Sequence, residues 1–245
     1  MAYPDSWYSD DGQILQVMQL AADTGAMIMM HAENGIAIDV LRDQAFERGA
    51  TGSIWHGRTR PPELEGEAAH RAIQLAVVAG SPLYIVHLSS SNALNEVARA
   101  RNDGKNVFAE TCPQYLYLSL EEHLDQPGIE GVRHICSPPL RKLGDGHQDS
   151  LWKGLRTDDL SVVATDHCPF CDAEKKKTGG GGVPPLDFEK GSFDRILLDP
   201  PCSALGLRPR LLLSKLMSDG VATISQTASY QKAFLWGAVQ LLKVG

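Results

Sequence analysis

The chain has 245 residues, 22% of them charged and 43% hydrophobic, with 23 Lys and Arg against 30 Asp and Glu for a formal net charge of -7; these are the proportions of a folded globular protein and exclude a chain that is disordered or membrane-embedded throughout. The charge is uneven, because residues 1–178 carry 16 basic and 25 acidic side chains and residues 179–245 carry 7 and 5, so the first part is near -9 and argues against nucleic acid as its partner, while the tail is near +2. Five scattered cysteines (Cys112, Cys136, Cys168, Cys171 and Cys202), with no apolar leader at the acidic start, predict a reduced, cytoplasmic setting, and no apolar run nears the roughly 20 residues that span a bilayer.

Residues 1–11 form a polar, aromatic opening without periodicity. Ile14, Leu15, Val17, Met18 and Ala21 then recur at helical spacing as far as Gly25, and residues 26–30 form a short apolar run, predicted to be a strand, that stops at His31-Ala32-Glu33-Asn34. Residues 37–48 read as a second amphipathic helix, residues 51–62 as a loop carrying His56, Arg58 and Arg60, and residues 63–79 as a helix. The pattern then repeats. A strand over 82–86 leads to His87-Leu88-Ser89-Ser90, a helix covers 92–101, and a strand over 106–109 runs into Glu110-Thr111-Cys112-Pro113. A fourth strand is expected at 132–136, ending at Ser137-Pro138-Pro139, then a helix over 149–156 and a fifth strand over 161–166 that delivers Asp166, His167 and Cys168.

This alternation is the rhythm of a parallel sheet with right-handed crossovers. Five strands make most of an α/β barrel but not all of one, since a closed eight-stranded barrel takes about 250 residues and the rhythm stops near Thr178. Residues 176–186, rich in Lys, Gly and Pro, read as a flexible linker. A further strand and a helix are expected beyond it, over 193–199 and 230–242.

His31, His87 and Asp166 each stand at the C-terminal end of a predicted parallel strand, and in a barrel such ends face one mouth. Imidazoles and a carboxylate suit zinc, whose catalytic sites keep an open position for water. The competing reading is three ordinary hydrogen-bonded caps of strand ends; their equivalent placement favours the metal. Glu33, Asn34, Ser89, Ser90 and Thr111 share the same rim, either as supports of the ligands or, the reading favoured for each, as plain loop residues. Cys168 and Cys171, a C-x-x-C without a second pair, read as two reduced thiols.

The segments Met1-Ala2-Tyr3, Met30-His31-Ala32-Glu33-Asn34-Gly35, Thr59-Arg60-Pro61-Pro62, Val86-His87-Leu88-Ser89, Glu110-Thr111-Cys112-Pro113-Gln114-Tyr115-Leu116, Cys136-Ser137-Pro138-Pro139-Leu140-Arg141 and Thr165-Asp166-His167-Cys168-Pro169-Phe170 resemble, in order, the dihydropyrimidinase (D-hydantoinase) family of cyclic amidohydrolases. The resemblance covers about residues 1–175 and implies part of a TIM-like (β/α) barrel of the amidohydrolase type: a zinc-dependent hydrolase opening the cyclic amide of a dihydropyrimidine or hydantoin. It implies that His31 and His87 bind one zinc, that Asp166 binds a second and shuttles the proton, that Tyr3 contacts the substrate and its oxyanion, and that Ser137 hydrogen-bonds the substrate ring. The family's His-x-His pair has no counterpart, its bridging carboxylated lysine would precede Met1, and its Asn-Gly-Gly-Pro segment is missing. The expectation is therefore an N-terminally truncated domain that holds at most one zinc, weakly, with little or no hydrolase activity alone and with open strand edges that favour self-association.

Residues 187–245 resemble RNA (cytosine-5) methyltransferases, through Asp194-Arg195-Ile196-Leu197-Leu198-Asp199-Pro200-Pro201-Cys202-Ser203, Arg208-Pro209-Arg210 and Tyr230-Gln231. This implies a short Rossmann-like α/β fragment in which Cys202 stands where that family has a product-releasing thiol. The glycine-rich S-adenosylmethionine loop and the attacking cysteine are absent, so neither cofactor binding nor methyl transfer is expected, and RNA is a partner only under this alternative. A catalytically silent fusion of the two segments is the third reading.

Overall fold

In the computed structural model the described residues are 8–166 together with Gln231, Lys232, Leu235 and Val239, which are helical. The chain divides into two compact units, one made of residues 1–165 and 170–183 and the other of 166–169 and 184–245. The predicted linker, the strand over 193–199 and most of the tail helix lie outside the described residues, as do Tyr3, His167, Cys168, Cys171 and Cys202.

The first unit is built from strand and helix in alternation. Helix α1 (Asp11–Thr24) starts where the Asp10 carboxylate accepts from the Gln13 amide and the Gln13 side chain reaches back to the Asp10 amide, and it ends at Gly25, whose φ of 71° is open to glycine at little strain. Strand β1 (Ile28–Met30) follows, then α2 (Gly35–Glu47), capped by Asn34, a short α3 (Ile54–Arg58), and α4 (Pro62–Ala79), which opens with proline in its first turn. Strand β2 (Leu83–Ile85), α5 (Ser91–Asn102) capped by Ser90, and β3 (Val107–Thr111) complete the next repeat. After α6 (Pro113–Tyr117), a π turn at Leu120–Leu124, α7 (Ile129–Val132) and a 3-10 turn at Leu143–Asp145, α8 (His147–Arg156) leads into β4 (Val162–Val163).

The four strands form one parallel sheet in the order β1-β2-β3-β4, with Met30 opposite Ile85, Ile85 opposite Ala109 and Thr111 opposite Val163. Each strand is joined to the next through helices, the α/β arrangement its alternating pattern predicts. The core lies between this sheet and its helices. Leu83 and Ile85 of β2, Val107 and Ala109 of β3, the alanine-rich face of α4 (Ala68, Ala69, Ala72, Ala76), Val97 of α5 and Leu151 of α8 are all buried. Small residues let α4 and α5 approach closely: a Cβ placed on Gly66 would stand 2.9 Å from Cβ of Asn92.

One predicted strand is not there. Residues 132–136 are not extended: Arg133 donates to the Ile129 carbonyl (2.9 Å), His134 to Gly131 (3.1 Å) and Ile135 to Val132 (3.2 Å), so the segment winds out of α7. Gly131 seats it there, because a Cβ would come 2.1 Å from the Ser53 hydroxyl and 2.4 Å from the Gln126 carbonyl. The stretch over 51–62, expected to be a loop, contains α3, whose partly apolar face covers the π turn. None of the described helices is long and apolar enough to cross a membrane.

Candidate functional site

His31 follows β1 directly and His87 follows β2 by one residue, so the parallel pairing that sets Met30 opposite Ile85 brings both histidines to the same sheet edge. The Val86 amide donating to the Met30 carbonyl at 3.2 Å fastens the two strand ends together. Nδ1 of His31 lies 3.1 Å from Nε2 of His87, with the rings edge-on at 4.7 Å between centroids. On its other side His31 Nε2 meets Glu33 Oε2 at 2.8 Å. Burial raises the Glu33 carboxyl, but the His31 hydrogen bond and charge, with Arg60 and Arg141 beyond, outweigh it and hold the group below the usual range.

Glu33 is thus an ionised acceptor to which His31 donates through Nε2, and His31 Nδ1 is the nitrogen turned toward His87. Burial, with His31 adjacent, pushes the His87 imidazole down to about 3, so it is neutral at physiological pH. Its Nδ1 is buried and has no hydrogen-bond partner among the described residues. Two nitrogens bound to one tetrahedral zinc at about 2.0–2.1 Å each lie about 3.3 Å apart; the pair here stands 3.1 Å apart. One ring is braced by a carboxylate, as histidine ligands commonly are. The residues present therefore fit a divalent metal through His31 Nδ1 and His87 Nε2, although no group of three or more potential ligands assembles among the described residues.

Ser137 sits beside a third histidine, His56. His56 Nε2 donates to the Cys136 carbonyl at 2.8 Å and lies 3.3 Å from the Ser137 hydroxyl, while its Nδ1 accepts from the Arg60 guanidinium at 3.1 Å. Burial, then the charge of Arg60, pushes His56 down to about 4. Beneath lies a charged network that spacing alone did not reveal. Arg141 donates to Glu65 Oε2 (2.9 Å), to the Ser89 hydroxyl (3.0 Å) and to the Arg60 carbonyl (2.5 Å), while Ser89 donates to Glu65 through its amide (2.8 Å) and hydroxyl (2.9 Å). All four side chains are buried. Three segments distant in sequence are locked here with each of the three guanidinium nitrogens of Arg141 donating, the kind of satisfaction a buried ion pair needs if it is not to be a net loss.

The rim residues expected to be plain loop positions have definite structural work. Glu33 braces His31, Asn34 and Ser90 cap α2 and α5, Ser89 belongs to the Arg141 network, and Thr111 lies inside β3, its hydroxyl donating to the Leu88 carbonyl at 2.7 Å. Asp166 comes after β4 with φ 45°. Tyr3 and Cys202, expected to contact substrate and to mark a methyltransferase-like motif, lie outside the described residues.

No family model matches the chain. It is 59% identical over 181 residues to a D-hydantoinase of Streptomyces coelicolor, which takes in 74% of this chain and 38% of that protein, and 46% identical over 190 residues to a D-hydantoinase of Geobacillus stearothermophilus, 78% and 39%. Among solved structures it is similar to a D-hydantoinase from a Bacillus species, with a TM-score of 0.71 and 43% identity over 74% of this chain and 41% of that one, and to a dihydropyrimidinase from Brevibacillus agri, with a TM-score of 0.71 and 42% identity over 75% and 41%. The parallel βα sheet is consistent with part of such a barrel. The chain spans about two fifths of the length of the relatives it matches, and none of these matches supports the methyltransferase-like reading of residues 187–245. About three quarters of the chain is homologous to the D-hydantoinases and dihydropyrimidinases.

Proposed function

We propose that this chain carries part of a zinc-dependent cyclic amidohydrolase site, of the kind that hydrolyses the cyclic amide bond of dihydropyrimidines or hydantoins in the cytoplasm. The observation that carries this reading is the meeting of His31 Nδ1 and His87 Nε2 at 3.1 Å on neighbouring strand ends, with Glu33 bracing His31. A bound divalent metal supplies a Lewis acid and lowers the pKa of water to about 7. His31 and His87 are the proposed holders of that metal, and the chain's other residues orient and move protons. Glu33 keeps the His31 ring in one tautomer. Ser137, beside His56, is the proposed hydrogen-bonding partner of the substrate ring. By family pattern Asp166 is the proposed metal ligand and proton carrier and Tyr3 the proposed support of the oxyanion.

Two ring nitrogens hold zinc far less tightly than the complete ligand sets of structural sites, whose apparent binding free energy is about 10–16 kcal/mol. The isolated chain is therefore expected to hydrolyse its substrates little or not at all. The test is an assay of the zinc-supplemented full chain with dihydrouracil and hydantoin, following the ring-opened carbamoyl product. Turnover indistinguishable from that of the His31→Ala, His87→Ala double variant is expected; robust turnover by the unmodified chain would show that its metal site is complete and that the partial-site reading is wrong.

A further inference from the structure

His87 has a backbone φ of 40°, a conformation that a histidine keeps only where its surroundings enforce it. The enforcing contacts come from the end of β3. The His87 amide donates to Glu110 Oε1 at 3.2 Å, the Leu88 amide donates to the Glu110 carbonyl at 2.8 Å, and the Leu88 carbonyl accepts from the Thr111 hydroxyl at 2.7 Å. Glu110 is itself fixed, since its other carboxylate oxygen, Oε2, accepts from the Tyr84 hydroxyl at 2.7 Å. Glu110, Tyr84 and Thr111 are all buried. Tyr84 lies in β2 opposite Phe108 of β3, so one neighbouring pair of strands supplies both halves of the clamp.

We propose that Glu110, held by the Tyr84 hydroxyl, is the positioning residue for His87: it fixes the left-handed turn after β2 and so aims the His87 ring at His31. Glu110 bonds to the backbone amide of His87, whereas Glu33 bonds to the His31 ring itself. The part of this inference that concerns metal rests on the proposed function above, whereas the pairing of the two rings does not.

The full chain carries the test, in two measurements. Cobalt(II) titration followed by visible absorption reads metal affinity, and long-range 1H–15N spectra of the metal-free protein read the hydrogen bond between the His31 and His87 rings. Glu110→Gln keeps an acceptor for the His87 amide and is expected to stay within about threefold of the unmodified chain in affinity and to retain the ring bond. Glu110→Ala is expected to lose the ring bond and to weaken cobalt binding about 10- to 100-fold, the range typical of residues that orient a ligand, while circular dichroism shows the helices intact. Tyr84→Phe, which removes only the hydroxyl, is expected to weaken both signals to an intermediate degree. The inference is overturned if Glu110→Ala keeps the ring bond, or if Glu110→Gln is as damaging as Glu110→Ala, which would assign the effect to charge. Should Glu110→Ala fail to fold, Tyr84→Phe decides, an unchanged ring bond overturning the clamp. Failure of the unmodified chain to take up cobalt would count against the metal reading alone, and the metal-free spectra would still decide the positioning.

Discussion

His56 shows how much a buried imidazole can set. Its Nε2 donates to the Cys136 carbonyl and its Nδ1 accepts from Arg60, a bond that requires the neutral ring, and burial together with Arg60 puts its folded-state pKa at about 4. In the unfolded chain the same ring titrates near 6.5. A folded pKa below the unfolded one means stability that is full above pH 6.5 and lost as pH falls toward 4, on the order of 2 kcal/mol by pH 5 for this group alone. His87, pushed down by burial to about 3, adds a loss of the same sign. Urea midpoints measured from pH 7.5 to pH 5 should fall steadily, and His56→Gln should flatten part of that slope; a stability independent of pH across the range would contradict the assignment. The Glu65–Arg141 pair makes a second prediction. Replacing Arg141 by Met leaves the Glu65 carboxylate buried without its cation, and denaturant unfolding should show a loss of about 3–5 kcal/mol.

At the scale of elements, the strands over 28–30, 83–85 and 107–111 and helices α1, α2, α4, α5 and α8 were legible from their apolar pattern, helped by a capping side chain at the start of α1, α2 and α5 and a closing glycine after α1, α2, α4 and α5. The segment over 132–136 failed for a reason local sequence does not carry. Val132, Ile135 and Cys136 look like strand residues, but Gly131 packs against the hydroxyl of Ser53, from a distant part of the chain, as well as against the Gln126 and Leu124 carbonyls. Gly131→Ala should therefore be severely destabilising, because two of the three atoms met by the new methyl are backbone oxygens; overpacking of this kind costs about 1–3 kcal/mol or more, and thermal melting would show it. The helix expected over 92–101 starts one residue earlier, at Ser91, and a contact from α8 holds that start. The Ser91 amide and hydroxyl both bond to His147 Nδ1, at 3.1 and 2.9 Å, tying α5 to the first residue of α8. The site was legible in the same partial way: His31 and His87 stood out by their place at strand ends, whereas Glu65 and Glu110 acquire their roles through partners 20 or more positions away, and His56 through distant Cys136 as well as nearby Arg60.

On the scale of the whole molecule, a four-stranded parallel sheet has two ends, and β1 at one of them is flanked by exposed Met27 and by Met29, which is 55% exposed. Val17, Leu20, Ile36, Val40 and Phe46 on the nearby sequence elements are also exposed. An edge strand without a partner among the described residues and with apolar side chains invites association, so sedimentation of the purified chain should show concentration-dependent oligomers, and a single monomeric species at all concentrations would contradict that expectation. The central claim, that the family segment still holds a divalent metal through His31 and His87, is tested most directly by metal stoichiometry. After equilibrium dialysis against zinc and elemental analysis, the unmodified chain should retain up to one zinc per molecule, reversibly, and both His31→Ala and His87→Ala should retain essentially none at that site; zinc uptake that is absent from the folded chain, or that survives both substitutions unchanged, would contradict it.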